Sequence, residues 1–291
     1  MNHFMKTVSL LMVMLICVLS GCKNQSGSNG TFEIGDKTFL LNGKPFIIKA
    51  AEIHYTRIPV EYWEHRIQMC KALGMNTICI YAFWNIHEQK PGEFDFSGQN
   101  DIAAFCRLAQ KNGMYIMLRP GPYVCSEWEM GGLPWWLLKK EDIQLRTNDP
   151  YFIERTRIYM NEIGKQLADR QITRGGNIIM VQVENEYGSY ATDKSYIAKN
   201  RDILRDAGFT DVPLFQCDWS SNFLNNALDD LVWTVNFGTG ANIDEQFKIL
   251  KEVRPKTPLM CSEFWSGWLD LWGRKHETRD ADTMIAGLRD M

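Results

Sequence analysis

The sequence predicts an α/β fold: a TIM (β/α)8-type barrel, incomplete at seven β/α units and preceded by a short β-hairpin. Three observations carry that reading. Apolar runs of the kind that form buried parallel strands recur seven times, at residues 47–53, 77–83, 115–118, 178–183, 213–217, 231–237 and 259–261. Helical patterns alternate with them, which calls for a parallel sheet covered by helices. No GxGxxG or GxxxxGK[ST] follows the first strand, as a doubly wound nucleotide-binding sheet would favour, whereas polar and aromatic residues crowd the strand ends. Examples are Glu52-Ile53-His54-Tyr55, Phe83-Trp84-Asn85, Arg119-Pro120-Gly121, Glu184-Asn185-Glu186, Asp218-Trp219, Asn236-Phe237-Gly238 and Glu263-Phe264-Trp265. In a barrel those ends converge on one pocket.

Taken in order, the chain opens with Asn2, His3 and Lys6 before an apolar run over residues 8–19. That run is shorter than the ~20 residues of a spanning helix and fits a secretory h-region. Leu19-Ser20-Gly21-Cys22 follows and resembles the lipobox of bacterial lipoproteins. The resemblance implies a lipoprotein signal peptide over residues 1–21, lipidation of Cys22, and a flexible tether over residues 22–30. The expectation is an exported protein held at a bacterial membrane by its lipid anchor, in the periplasm or at the cell surface. A plain signal peptide cut near Gly21 is the alternative.

Residues 31–48 read as a hairpin turning at Asn42-Gly43. Helices are expected over residues 61–73, 101–111, 151–170, 195–206 and 243–253, with Gly74, Gly113 and Gly208 at stop positions. Residues 278–291 read as the helix after strand seven, and no eighth strand follows. An unclosed barrel leaves two strand edges unpaired, so residues 31–291 are expected to be the catalytic barrel of a longer chain, truncated at its C-terminus.

The 32 Lys and Arg against 35 Asp and Glu leave a net charge of −3 with no basic stripe, which argues against a nucleic-acid partner. Cys17 and Cys22 fall in the leader; Cys70, Cys79, Cys106, Cys125, Cys217 and Cys261 show no zinc-like spacing and fit buried thiols. The sequence assigns no oligomeric state. Aromatic residues make up 12% of the chain and many sit beside Gly, Pro and Glu, which suits a flat-faced ligand such as a sugar.

Two glutamates carry the expected chemistry. Glu186 lies at the mouth of strand four in Val183-Glu184-Asn185-Glu186-Tyr187, and Glu263 at the mouth of strand seven in Ser262-Glu263-Phe264-Trp265. Glycosidic cleavage needs a protonated acid at the leaving oxygen and a second carboxylate facing the anomeric carbon. An ionised Glu263 would raise the pKa of Glu186 and leave it able to donate.

These segments resemble family 35 of the glycoside hydrolases, chiefly exo-acting, retaining β-galactosidases. The resemblance spans nearly everything after the tether. It is carried by Ile53-His54-Tyr55 with Arg57-Ile58-Pro59, Trp84-Asn85-Ile86-His87-Glu88, Arg119-Pro120-Gly121-Pro122-Tyr123, Glu127-Trp128-Glu129-Met130-Gly131-Gly132-Leu133-Pro134-Trp135-Trp136-Leu137, Gly175-Gly176-Asn177 leading into Glu184-Asn185-Glu186-Tyr187, and Ser262 through Trp268. It implies Glu186 as acid/base, Glu263 as nucleophile and Asn185 as partner of the sugar 2-hydroxyl. It further implies Tyr81, Cys125, Ser126 and Glu127 lining the galactose subsite, with Cys125 and Ser126 contributing backbone groups, and Trp265 and Trp268 as apolar walls. No metal and no cofactor is implied.

Other residues have blander readings. Glu184 falls on the opposite strand face, if the strand stays regular, and fits a structural ion pair. Glu88 and Glu129 fit loop organisers, and the loop over residues 131–136 a support for the site. His54 and His87 form no HExxH or other ligand spacing. Asn177 stands where the family usually has Pro, and Trp265 replaces a common Tyr, removing a phenol that could bond the nucleophile. Alternative functions are cleavage of another β-glycoside, such as a β-glucosaminide, and an inactive sugar-binding fragment.

Overall fold

The structure is a computed structural model that describes residues 29–291. The expected signal peptide, Cys22 and the tether as far as residue 28 lie outside the described residues. Gly30, at the end of the expected tether, is buried, and its N–H bonds the Ile172 carbonyl at 3.0 Å.

The expected hairpin gains a strand. β1 (Phe32–Ile34), β2 (Phe39–Leu41) and β3 (Lys44–Phe46) form a separate antiparallel sheet. Asn42 (φ 53°) and Gly43 (φ 71°) make the two-residue left-handed turn that matches strand twist. Phe32 stacks on Phe39, and Phe46 meets Tyr115 edge-on at 5.6 Å. Since Tyr115 starts a barrel strand, this small sheet sits at the barrel's N-terminal end.

The second sheet has seven parallel strands in chain order: β4 (Ala50–Glu52), β5 (Thr77–Tyr81), β6 (Tyr115–Arg119), β7 (Ile178–Gln182), β8 (Leu214–Trp219), β9 (Val232–Gly238) and β10 (Cys261–Trp265). β4 and β10 form its edges. Every residue of β5 and β7 is buried, which explains why their sequences are apolar without alternation. The strand expected at residues 259–261 runs instead over Cys261–Trp265, so Glu263 lies within it. Apolar content misled there: backbone pairing with β9 sets the strand, and it continues past a bulge at Ser262 to Glu263, Phe264 and Trp265.

Among the described residues six helices of ten or more residues, α1 (Val60–Ala72), α2 (Ile102–Lys111), α3 (Pro150–Leu167), α4 (Lys194–Asp206), α5 (Ile243–Val253) and α6 (Ala281–Asp290), follow the sheet strands. Asp101, Asp149, Asp193, Asn242 and Asp280 cap α2 to α6 by accepting first-turn N–H groups, each cap contributing about 1 kcal/mol. The left-handed Gly74, Gly113 and Gly208 follow α1, α2 and α4 as expected. The helix expected over residues 151–170 tightens into a 3-10 turn at Ala168–Arg170.

α3 packs against the turn after α4 at a glycine: a Cβ on Gly164 would lie 2.1 Å from the Ala207 carbonyl oxygen. Gly164→Ala is therefore expected to destabilise by about 1–3 kcal/mol, read as a lower urea midpoint at unchanged slope. An unchanged midpoint would contradict this close approach.

Candidate active site

Arg119 ends β6 at the C-terminal rim of the sheet and is buried. Its Nε donates to Gln182 of β7 and its Nη1 to the Tyr81 hydroxyl of β5. Nη2 reaches Glu263 of β10, the Asn185 side-chain oxygen at 2.7 Å and the Cys217 sulfur of β8 at 3.4 Å. Glu52 of β4 lies 3.6 Å from Nη1, and the Tyr81 ring lies under the guanidinium at 4.5 Å. Burial opposes the charge most strongly of any one influence, but Glu263, Tyr81, Cys217 and Cys79 together outweigh it and hold the Arg119 pKa above its ordinary value.

Glu263 is aimed by a β-bulge. Cys261 pairs with Val235 and Glu263 with the very next residue of β9, Asn236, so the register shifts by one at Ser262. Two successive side chains thereby join one cluster: Ser262 bonds Asn236 at 2.8 Å while Glu263 meets Arg119. The Trp265 indole N–H donates to the other Glu263 oxygen at 3.3 Å. This corrects the expectation attached to the Tyr-to-Trp departure, since the indole supplies a donor of its own.

Glu186 arrives by a different route. β7 ends at Gln182, and Glu184 (φ 58°) and Glu186 (φ 43°) both adopt left-handed backbone. Such conformations cost of order 1–3 kcal/mol each and persist where surroundings hold them. The opposite-face reading of Glu184 therefore fails: no regular strand passes through it, and in one it would share a face with Glu186, two residues on. Its ion pair nevertheless exists. Both Glu184 oxygens accept from Arg146, at 3.0 and 2.7 Å, and the Tyr196 hydroxyl adds a third bond at 3.1 Å. Arg146 is itself sandwiched by Tyr123 and Tyr190, at 3.9 and 4.4 Å.

Asn236 Nδ2 donates to Glu186 Oε1 at 2.8 Å. Burial first, then the charge of Glu263, pushes the Glu186 carboxyl up to about 7, against a smaller lowering by the Asn236 bond. A carboxyl with a raised pKa thus stands within electrostatic reach of one paired with a guanidinium. Such a pair can supply an acid and an anion to one reacting bond. Between them lies Asn185, whose Oδ1 accepts from Arg119 and from Gln182 at 3.0 Å. Its Nδ2 is buried without a protein partner, so a donor is left for a ligand.

The structure brings Tyr81 to Arg119, and Cys125, Ser126 and Glu127 onto one left-handed turn beside the cavity. Burial and then the nearby Glu263 charge raise the Glu127 carboxyl pKa. Trp265 packs on Trp219 at 4.8 Å and edge-on to Trp268 at 5.8 Å, making an aromatic flank. Trp268 stands beyond the strand and is half-exposed. A crevice of about 650 Å³ adjoins this face at Glu127, Trp128, Asn85 and Trp135.

The remaining residues organise loops. Glu88 is fully buried and accepts from Trp84, Gly92 and Arg155, while its carbonyl takes the Trp136 indole N–H. His87 bonds Tyr55 and the Asp95 carbonyl, and burial pushes it down to about 4. His54 bonds Glu52 and Arg57. Asn177 donates to the Cys106 and Met114 carbonyls, a structural task at the opposite end of the sheet. Among the described residues all six cysteines are free.

Gln182 and Cys217 escaped the sequence reading as site residues, and Arg119, Trp219 and Asn236 were read only as strand-end residues with no role assigned. Each sits at or near the C-terminal end of a sheet strand, which was the available signal.

Direct NMR titration of the Glu186 carboxyl should give a pKa near 7. Glu263→Gln should lower it by removing a like charge, and Asn236→Ala should raise it by removing a bond to the carboxylate. Opposite movements would refute this arrangement.

Comparison with known proteins places the chain in a family. Residues 38–291 match the family described as glycosyl hydrolases family 35. A β-galactosidase of Xanthomonas manihotis is 42% identical over 275 residues, covering 94% of this chain and 46% of its own length. The human β-galactosidase is 40% identical over 285 residues, covering 97% of this chain and 42% of its own. The chain thus spans less than half the length of these relatives. Among solved structures, an exo-β-1,4-mannosidase from Opitutaceae bacterium strain TAV5 shares the fold at a TM-score of 0.59 and 18% identity, over 76% of this chain and 46% of that one. A family 2 β-galacturonidase from Eisenbergiella tayi does so at 0.54 and 14%, over 85% and 40%. With the family matched over residues 38–291 and relatives 40–42% identical over most of the chain, the chain belongs to family 35 of the glycosyl hydrolases.

Proposed function

We propose that the protein is a retaining, exo-acting β-galactosidase whose acid/base is Glu186 and whose nucleophile is Glu263. The observation that carries this reading is the contrast between the two carboxyl groups. Glu186 is pushed up to about 7 while Glu263 is paired with buried Arg119. The named β-galactosidase relatives support the substrate class.

In the first step a Glu263 oxygen bonds the anomeric carbon as the bond to the leaving oxygen breaks, and that oxygen takes the Glu186 proton. In the second, the Glu186 carboxylate removes a proton from water as the water oxygen attacks the same carbon. Glu263 leaves, restoring both groups. Asn236 on Oε1 leaves Oε2 of Glu186 to carry the proton. The unpartnered Asn185 Nδ2 suits the sugar 2-hydroxyl, a bond that strengthens in the oxocarbenium-like state. Tyr81, Cys125, Ser126 and Glu127 would line the galactose, and Trp265 and Trp268 would cover its C–H faces.

Glu186→Gln should lose at least ~10²–10⁴-fold activity on galactosides with poor leaving groups and less on those with good ones. Glu263→Ala should abolish turnover of an aryl β-galactoside; unchanged turnover would overturn its assignment. A panel of nitrophenyl glycosides should show preference for the β-galactoside, and preference for a β-glucosaminide would overturn the substrate class.

We also propose export and anchoring through acylated Cys22, on the strength of Leu19-Ser20-Gly21-Cys22 after the apolar run. Metabolic labelling with palmitate in a bacterial host should mark the protein and fail on Cys22→Ser. Persistent label on that variant would contradict the anchor.

A further inference from the structure

Cys125, Ser126 and Glu127 carry φ angles of 61°, 56° and 46°. Among the described residues no other three consecutive non-glycine residues are left-handed. The turn's internal bonds, Trp128 N–H to the Cys125 carbonyl and the Ser126 hydroxyl to the Val124 carbonyl, are local. A restraint of long range comes from Arg57, in the segment after β4. Its Nη2 donates to the Ser126 carbonyl at 3.2 Å and to the Glu127 carbonyl at 2.7 Å.

Arg57 is held in turn from two sides. Its guanidinium lies 4.7 Å over the Trp128 ring, and Trp128 rests on Phe83 at 4.4 Å. Its Nη1 donates to His54 Nδ1 at 2.7 Å. Arginine has no acceptor, so Nδ1 is the bare nitrogen and Nε2–H donates to Glu52 at 2.8 Å. Glu52 faces Arg119, which contacts Glu263.

We propose that Arg57 is a positioning residue for the sugar site. It grips the Ser126 and Glu127 carbonyls of the left-handed turn, and so holds the Glu127 carboxylate within electrostatic reach of Glu263. The Glu263 and Glu52 charges acting on Glu127 agree with that placement. The proposal rests on the reading of Glu127 as a sugar-binding residue. A lysine at position 57 would supply a point charge without the planar fork that bonds two carbonyls, a histidine and a ring together.

A double-mutant cycle with Arg57→Ala and Glu127→Gln in the full-length enzyme tests it, using nitrophenyl β-galactoside and melting temperature as a folding control. Each single variant should lose about tenfold or more in kcat/KM, the value of one charge-assisted hydrogen bond. The loss should fall mainly on KM, and the double variant should match Glu127→Gln within about twofold. Arg57→Lys should fold as the parent does and still lose most of the effect, while methylguanidinium at non-denaturing concentration should restore Arg57→Ala and leave the double variant unchanged. Losses that multiply in the double variant would overturn the coupling while sparing the role of Glu127. Parent-like kinetics of Glu127→Gln would overturn that role and the proposal together.

Discussion

A buried guanidinium governs the functional end of this molecule. Removing Arg119 from water carries a penalty of several kcal/mol, repaid only by a near-complete set of partners. Those partners come from most of the parallel sheet: Glu52, Tyr81, Gln182, Cys217 and Glu263, with Asn185 between. The sheet must therefore hold five other strands in register to satisfy one side chain. In return, that side chain sets where the Glu263 carboxylate sits.

The contrast between the two glutamates follows from this centre. Arg119 sits against Glu263, while Glu186 is half-buried with an amide donor and feels Glu263 as a like charge. Backbone geometry delivers each group separately: a bulge at Ser262 for one, two left-handed residues around Asn185 for the other. Both devices depart from regular strand geometry at the point where chemistry would occur. Departures of that kind gather at sites because the surroundings over-determine them.

Much of this was legible beforehand. The seven apolar runs anticipated seven parallel strands, since a strand buried on both faces must be apolar throughout, as β5 and β7 are. The Asn42-Gly43 turn and the glycines after α1, α2 and α4 were readable because only a few residue types tolerate left-handed backbone. The last strand was displaced toward Leu259 because hydrophobicity reports burial, whereas the ladder with β9 depends on backbone pairing. The third strand of the small sheet was missed for a similar reason: β1 (Phe32–Ile34) shows only a short, half-exposed pattern.

At the site, the sequence by itself determined which groups were available: two glutamates, an asparagine and aromatic residues at strand ends, in motifs specific enough to show a family likeness. Tertiary structure alone decided their partners. The family likeness singled out Glu186 over Glu184 by its place after Asn185, whereas the structure separates them by giving Glu184 to Arg146 and Glu186 to Asn236. Arg119 looked like one of many polar strand ends. Its importance arises from contacts up to 144 residues away in the chain. Residue type fixes what a side chain can donate, accept or ionise; burial and the charges facing it, which set its protonation and task, exist only once distant strands have closed around it.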